Sequence, residues 1–275
     1  MEYRPSLPEH NDNVSHEQPV REFILLFSGL TIFLLIAFWT LGLFVDIAVN
    51  YISPDMEALI FSPFDASASE LADEGEMQQT ELQQMVDELR KCIHISYPLK
   101  VYLVETDNAN AMALPGGRIV VFSGLLDKVQ SENGLFFVLA HELAHFKNRD
   151  HLRGIGRGIV FTALAAFMTG AGSDLTQLFT PTVNFSEAKY SQKRESMADQ
   201  QALQALACYY GHVGGATEFF EAMKPDENDS VIMIGHYFES HPEAVERIED
   251  LHRLTRELGL DAENVLDLPA VLIEK

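Results

Sequence analysis

Gly134–His151 reads GLFFVLAHELAHFKNRDH, an apolar run with His-Glu-x-x-His at its centre. The run predicts a helix, with Ser131 as its N-cap. On that helix His141 and His145 stand one turn apart, so both imidazoles leave the same face toward one point. Such a pair is a zinc grip. Glu142, beside the first histidine, is placed to take a proton from an attacking water, so the motif points to hydrolysis with one Zn2+ per chain.

A hydrolytic zinc takes three protein ligands and keeps a position open, so the chain has to supply one more donor after His145. Two candidates present themselves. His151 has the spacing of a three-histidine site, with Asn148 standing where a sharp turn needs a residue tolerant of left-handed backbone. Glu195, in YSQKRESMADQQA (Tyr190–Ala202), lies on a predicted helix with Asp199 one turn further on. There the glutamate would ligate and the aspartate would accept the free N–H of a ligating histidine, fixing its tautomer. Two acids on a helix are otherwise a solvated face. The residues alone leave both candidates open.

Phe23–Val45 carries no charge and makes about 35 Å of helix at about 1.5 Å per residue, enough to cross a hydrocarbon core of about 30 Å. One membrane span is expected there. Arg4 and Arg21 precede it and no Lys or Arg follows until Arg90, which places the N-terminus in the cytoplasm and the rest of the chain outside. Residues 1–22 read as a polar, proline-bearing tail, 46–73 as an acidic connector, 74–260 as the folded domain and 261–275 as a C-terminal tail. Across the 275 residues, 19 Lys and Arg stand against 41 Asp and Glu, a net charge of -22 that argues against nucleic acid and anionic lipid headgroups as partners. Cys92 and Cys208 are too few for a disulfide framework and can form one bridge or stay as buried thiols.

Around the motif, Glu76–Cys92 has a helical stripe of Met77, Leu82, Met85, Val86 and Leu89. Leu99–Val104 and Arg118–Phe122 read as strands around a Pro-Gly turn. Gly154–Gly172 reads as a helix buried in the domain or lying on the membrane surface, and Ser186–Tyr210, Val213–Met223 and Pro242–Leu258 read as further helices.

Four stretches in this order, NAMALPGG (Asn110–Gly117), HELAH (His141–His145) followed by NRD, SQKRESMAD (Ser191–Asp199) and SHP (Ser240–Pro242) followed by Arg247, resemble the HtpX-type and CAAX-prenyl-protease-type zinc metallopeptidases, which include Oma-like members. The resemblance implies an α+β fold, a mainly helical zincin-type metalloprotease domain with a small β-sheet, preceded here by one transmembrane helix. It makes Glu195 the third ligand, and Asn110, Ala111, Met112 and Ala113 the edge strand that takes a polypeptide substrate. An exposed edge suits that task, because backbone hydrogen bonds make few demands on side chains. His241 is the candidate for stabilising the oxyanion or for latching the resting site. The expected protein is a membrane-anchored zinc metalloendopeptidase. Expected substrates are misfolded envelope or membrane proteins, acted on from the periplasmic side of the inner membrane.

Two rival readings have their own signatures. A di-iron carboxylate bundle also uses Glu-x-x-His, but it needs two such copies and two further helical glutamates converging on one core, whereas the four stretches above point to a single zinc grip. A catalytically silent chaperone or scaffold of the same fold has no need of the ligands and base, all of which are present.

Overall fold

The computed structural model describes residues 18–62, 76–169, 192–223, 244–262 and 265–273, and the chain divides into two compact units, Met1–Phe44 and Val45–Lys275. In chain order the helices are α1 (Pro19–Val49), α2 (Pro54–Phe61), α3 (Glu76–Ile93), α4 (Ser123–Leu126), α5 (Glu132–Lys147), α6 (Asp150–Thr169), α7 (Gln192–Tyr210), α8 (Glu218–Ala222), α9 (Ala244–Glu257) and α10 (Ala270–Ile273). Three strands, β1 (Lys100–Val104), β2 (Ala111–Leu114) and β3 (Arg118–Phe122), lie between α3 and α4.

α1 makes up the described part of the first unit and runs five residues past its boundary. Leu26, Phe33 and Trp39 are exposed on it, which for an apolar helix means a lipid-facing surface. Its hydroxyls bond back within the helix, Thr31 Oγ1 donating to the Phe27 carbonyl at 2.8 Å and Thr40 Oγ1 to that of Ile36 at 2.9 Å. None of these hydroxyl hydrogens needs water. Among the described residues α1 is the one helix long and apolar enough to span a membrane, and it anchors the chain.

The second unit is built around α5, which is buried from Asn133 to Phe146 because its sequence is apolar on every side. Ser131 caps it as expected, Oγ accepting from Gly134 N at 3.0 Å. α3 presents Leu82, Met85, Val86 and Leu89 to the same core, whereas Met77, in the first turn, is exposed. α7 adds Ala198, Ala202, Leu203 and Leu206. Cys92 of α3 and Cys208 of α7 form a disulfide between these two helices, 116 residues apart in sequence. A bridge closing so long a loop is expected to stabilise by about 2–4 kcal/mol. Cys92→Ser should therefore lower the melting midpoint clearly under non-reducing conditions, and an unchanged midpoint would mean the bridge is dispensable to the fold.

The sheet has the order β1-β3-β2, with β1 parallel and β2 antiparallel to β3. The Pro-Gly turn thus joins β2 to β3. Gly116 and Gly117 take φ of 82° and 79°, the left-handed backbone that glycine adopts without strain. The outer edge of β1 is covered by α3: Val101 N donates to Gln83 Oε1 at 2.9 Å and Gln83 Nε2 to the Leu99 carbonyl at 2.9 Å. That leaves β2 as the other edge.

Several segments differ from the sequence reading. Part of the acidic connector is the helix α2, capped by Ser53 Oγ on Met56 N at 3.1 Å with Pro54 in its first turn. The expected helix Val213–Met223 is only α8, because Gly215 takes φ 88° against Asn133 and breaks the run. Residues read as a C-terminal tail enter the core through Leu268 and Leu272, and Ser131 pairs with Asp267. α6 is not wholly buried. Leu152 and Val160 pack with Val45 and Val49, while Ile159 is exposed.

Candidate metal centre

α5 brings His141 and His145 to the face packed against α7, and α7 meets them with Glu195 in its first turn. All three are buried. The two Nε2 atoms are 3.0 Å apart, and Glu195 places Oε2 3.4 Å from His141 Nε2 and Oε1 3.3 Å from His145 Nε2. Ligands bonded tetrahedrally at about 2.0–2.1 Å stand about 3.3 Å from one another, so this spacing fits a zinc ion. The donor set, two imidazole nitrogens and a carboxylate oxygen, fits it chemically as well.

A second ring of side chains orients these donors. His141 Nδ1 lies 2.9 Å from Asp199 Oδ1 and His145 Nδ1 lies 3.1 Å from Asp150 Oδ2, so each ring keeps its proton on the outer nitrogen and turns Nε2 inward. Asp150 is in turn held by Arg194 Nε at 3.3 Å. Burial works against a charged ring at His145, but the carboxylates of Asp150, Glu195 and Glu142 outweigh it and hold its pKa up at about 9. The acids around Nε2 favour a cation there.

Arg247 on α9 closes this arrangement. Its Nε and Nη2 donate to Asp199 at 3.0 and 2.6 Å, its Nη1 lies 3.1 Å from Glu195 Oε2, and its guanidinium sits 4.4 Å from the centre of the Phe220 ring. Burial alone would raise the Asp199 pKa, yet Arg247 and His141 hold the carboxyl below the usual carboxylate range. Asp150 and Arg247 were quoted in the sequence motifs without a role. Only their distances assign one, since nothing in a lone Asp or Arg announces its partner.

Glu142 is buried between the donors and the sheet, and its Oε2 accepts from Ala113 N at 3.3 Å. Ala111 N, on the same edge of β2, is met by Asn110 Oδ1 at 2.8 Å. His151 is elsewhere: its ring stacks on Phe146 at 4.7 Å and its Nε2 lies 3.0 Å from Glu57 Oε1. The turn that would have returned His151 to the site does not form at Asn148, which has φ -76°; the left-handed residue is Arg149, with φ 59°. Helix α6 then starts at once and carries His151 away. His241 lies outside the described residues.

Comparison with known proteins covers this same region. The profile of peptidase family M48 matches residues 76–255. The chain is 29% identical over 157 residues to the mitochondrial metalloendopeptidase OMA1 of Schizosaccharomyces pombe, a stretch that is 55% of this chain and 45% of that one. It is 26% identical over 175 residues to a putative beta-barrel assembly-enhancing protease of Vibrio cholerae, 59% of this chain and 36% of the other. It is 37% identical over 100 residues to a protease HtpX homolog of Gemmatimonas aurantiaca, 35% and 33% of the two chains. The matched stretch is thus less than half the length of each of these relatives. The family match spans most of the chain and takes in α5 with its histidines, α7 with Glu195 and α9 with Arg247, and on that ground the chain belongs to peptidase family M48.

Proposed function

We propose that the protein is a membrane-anchored zinc metalloendopeptidase that hydrolyses polypeptides laid along β2. The observation that carries this reading is the contact of Ala113 N with Glu142 Oε2, which puts the edge strand, the proton acceptor and the metal donors side by side. A zinc ion held by His141, His145 and Glu195 would supply Lewis acidity to a water and to the scissile carbonyl. Glu142 takes the proton from that water and returns it to the leaving amine. Asp199 and Asp150 keep the proton on Nδ1 of each histidine, so neither ring can rotate or change tautomer at the site. β2 aligns the substrate by pairing with its backbone, which selects for extended, unfolded segments over particular side chains.

Two observations support an extracytoplasmic catalytic unit, on the periplasmic side of an inner membrane. Arg4 and Arg21 before the span favour a cytoplasmic N-terminus, and the Cys92–Cys208 bridge belongs in an oxidising compartment. Unfolded or misassembled envelope proteins are then the substrates within reach. One relative is named for enhancing β-barrel assembly, which accords with such a role.

The test is made on the full chain in detergent. It should hold about one zinc per chain and cleave casein, with a chelator abolishing cleavage and zinc restoring it. Bound zinc without cleavage of any unfolded polypeptide would leave the scaffold reading. For topology, a protease added to intact spheroplasts should reach the chain beyond Val45, and protection until lysis would reverse the orientation.

A further inference from the structure

The chain between the anchor and the peptidase domain holds a buried carboxylate that the mechanism above does not use. Glu57, on α2, is only 1% exposed. Gly116 N donates to its Oε1 at 2.8 Å, His151 Nε2 lies 3.0 Å from the same oxygen, and Arg149 Nη2 lies 3.5 Å from Oε2. Burial by itself would raise the Glu57 pKa, but His151, Gly116 and Arg149 together lower it below the usual range, so the group is ionised at neutral pH. A buried charge is costly unless its partners are fixed in place. Here the partners belong to three separate elements.

The first is the β2–β3 turn, gripped from both ends of α2. Glu57 holds Gly116 N–H, and the Phe61 carbonyl at the other end accepts from Arg118 Nη2 at 2.9 Å, while Arg118 Nη1 holds the Pro115 carbonyl at 2.5 Å. The second is the start of α6, through His151. The third is the exit of the anchor helix: Arg149, left-handed at the end of α5, donates through Nη1 to the Val49 carbonyl at 2.8 Å and also to that of Ile52. From Gly116 the strand leads back within three residues to Ala113, whose N–H meets the Glu142 carboxylate. The turn has two consecutive left-handed glycines and therefore little stiffness of its own. It is held from outside, by Lys100 N of β1, which donates to the Gly117 carbonyl at 2.8 Å, and by Glu57 and Phe61 of α2.

We infer that Glu57 is a positioning residue for the peptidase reaction, its carboxylate fixing the β2–β3 turn and through it the edge strand on which the substrate is laid. The helix that follows the membrane anchor is thus part of the substrate-binding apparatus and not a spacer. This rests on the reading of β2 as the substrate edge given above.

The experiment uses the full-length protein in nanodiscs with a fluorogenic peptide derived from casein. Glu57→Ala is expected to raise KM about 10-fold or more with kcat within about 3-fold and zinc content unchanged, since it removes hydrogen bonds to a charged acceptor that orders binding and not the chemical step. Hydrogen exchange at residues 113–117 should quicken in the same variant while the core of α5 stays protected. Glu57→Gln keeps an oxygen for Gly116 N–H and should recover KM to within about 3-fold of the wild type. If Glu57→Ala does not fold, Glu57→Asp, whose carboxylate is one methylene short of Gly116, takes its place in the same comparison.

An unchanged KM, or a fall in kcat and zinc content at constant KM, overturns the assignment and leaves Glu57 a residue of the fold. Equal KM values for the Ala and Gln variants overturn it too. A wild type that cleaves no peptide refutes the peptidase reading instead. The exchange at 113–117 then decides by itself whether Glu57 holds the turn.

Discussion

Glu142→Gln should purify with about one zinc per chain and cleave peptide about 1,000-fold more slowly than the wild type, within the range a general base contributes. The reasons for the two halves of that result are separate. Glu142 is not among the three converging donors, so its replacement leaves His141, His145 and Glu195 as they are. Its carboxylate does face the edge strand at Ala113 N, where the scissile bond would lie, and an amide there can accept no proton. Metal analysis and steady-state kinetics on the same preparation read both halves. Loss of zinc would make the carboxylate a ligand and reverse the roles assigned here. The companion variants sharpen the point: Glu195→Ala should empty the site, and His151→Ala should keep it filled, because His151 is engaged with Glu57 and Phe146 instead. The opposite pattern would sink the ligand set.

Arg247→Ala is expected to destabilise the protein strongly. Arg247 is 5% exposed and neutralises two buried carboxylates, Asp199 and Glu195, at 2.6 and 3.1 Å. Removing one partner of a buried ion pair strands the other in a poorly solvated place, at about 3–5 kcal/mol, which for a domain of this size lowers the melting midpoint of the metal-free protein by roughly 10 °C. Zinc should narrow the deficit, since a cation on Glu195 replaces part of what the guanidinium supplied. Arg247→Lys should rescue little, because a single ammonium cannot make the paired bonds to both Asp199 oxygens. A loss under about 1 kcal/mol in the metal-free protein would show that Asp199 and Glu195 relax toward water without Arg247, and that the guanidinium is not what holds them.

Much of the site could be read from local pattern. His141 and His145 are related by one helical turn, and Glu195 and Asp199 by another, so the periodicity of a single helix already puts each pair on one face, with Glu142 beside the first histidine. The span α1 and the cap at Ser131 are local in the same sense: apolar length and one hydroxyl decide them. The third ligand was open on the residues alone, and the resemblance pointed to Glu195. The backbone at Asn148 and Arg149 is consistent with that choice, since a left-handed Arg149 starts α6 and takes His151 away from the other two histidines.

What the sequence by itself determined, then, is the chemistry: which residues can grip a metal, which can move a proton, and that the chain is tied to a membrane. Tertiary structure alone decided which distant groups complete that chemistry. Arg247 reaches Asp199 across 48 positions, Glu57 reaches Gly116 across 59, and Cys92 reaches Cys208 across 116. Pairings at such separations leave no periodic trace, because the energy of an ion pair or a bridge depends on where folded elements meet and not on the residues beside it in the chain.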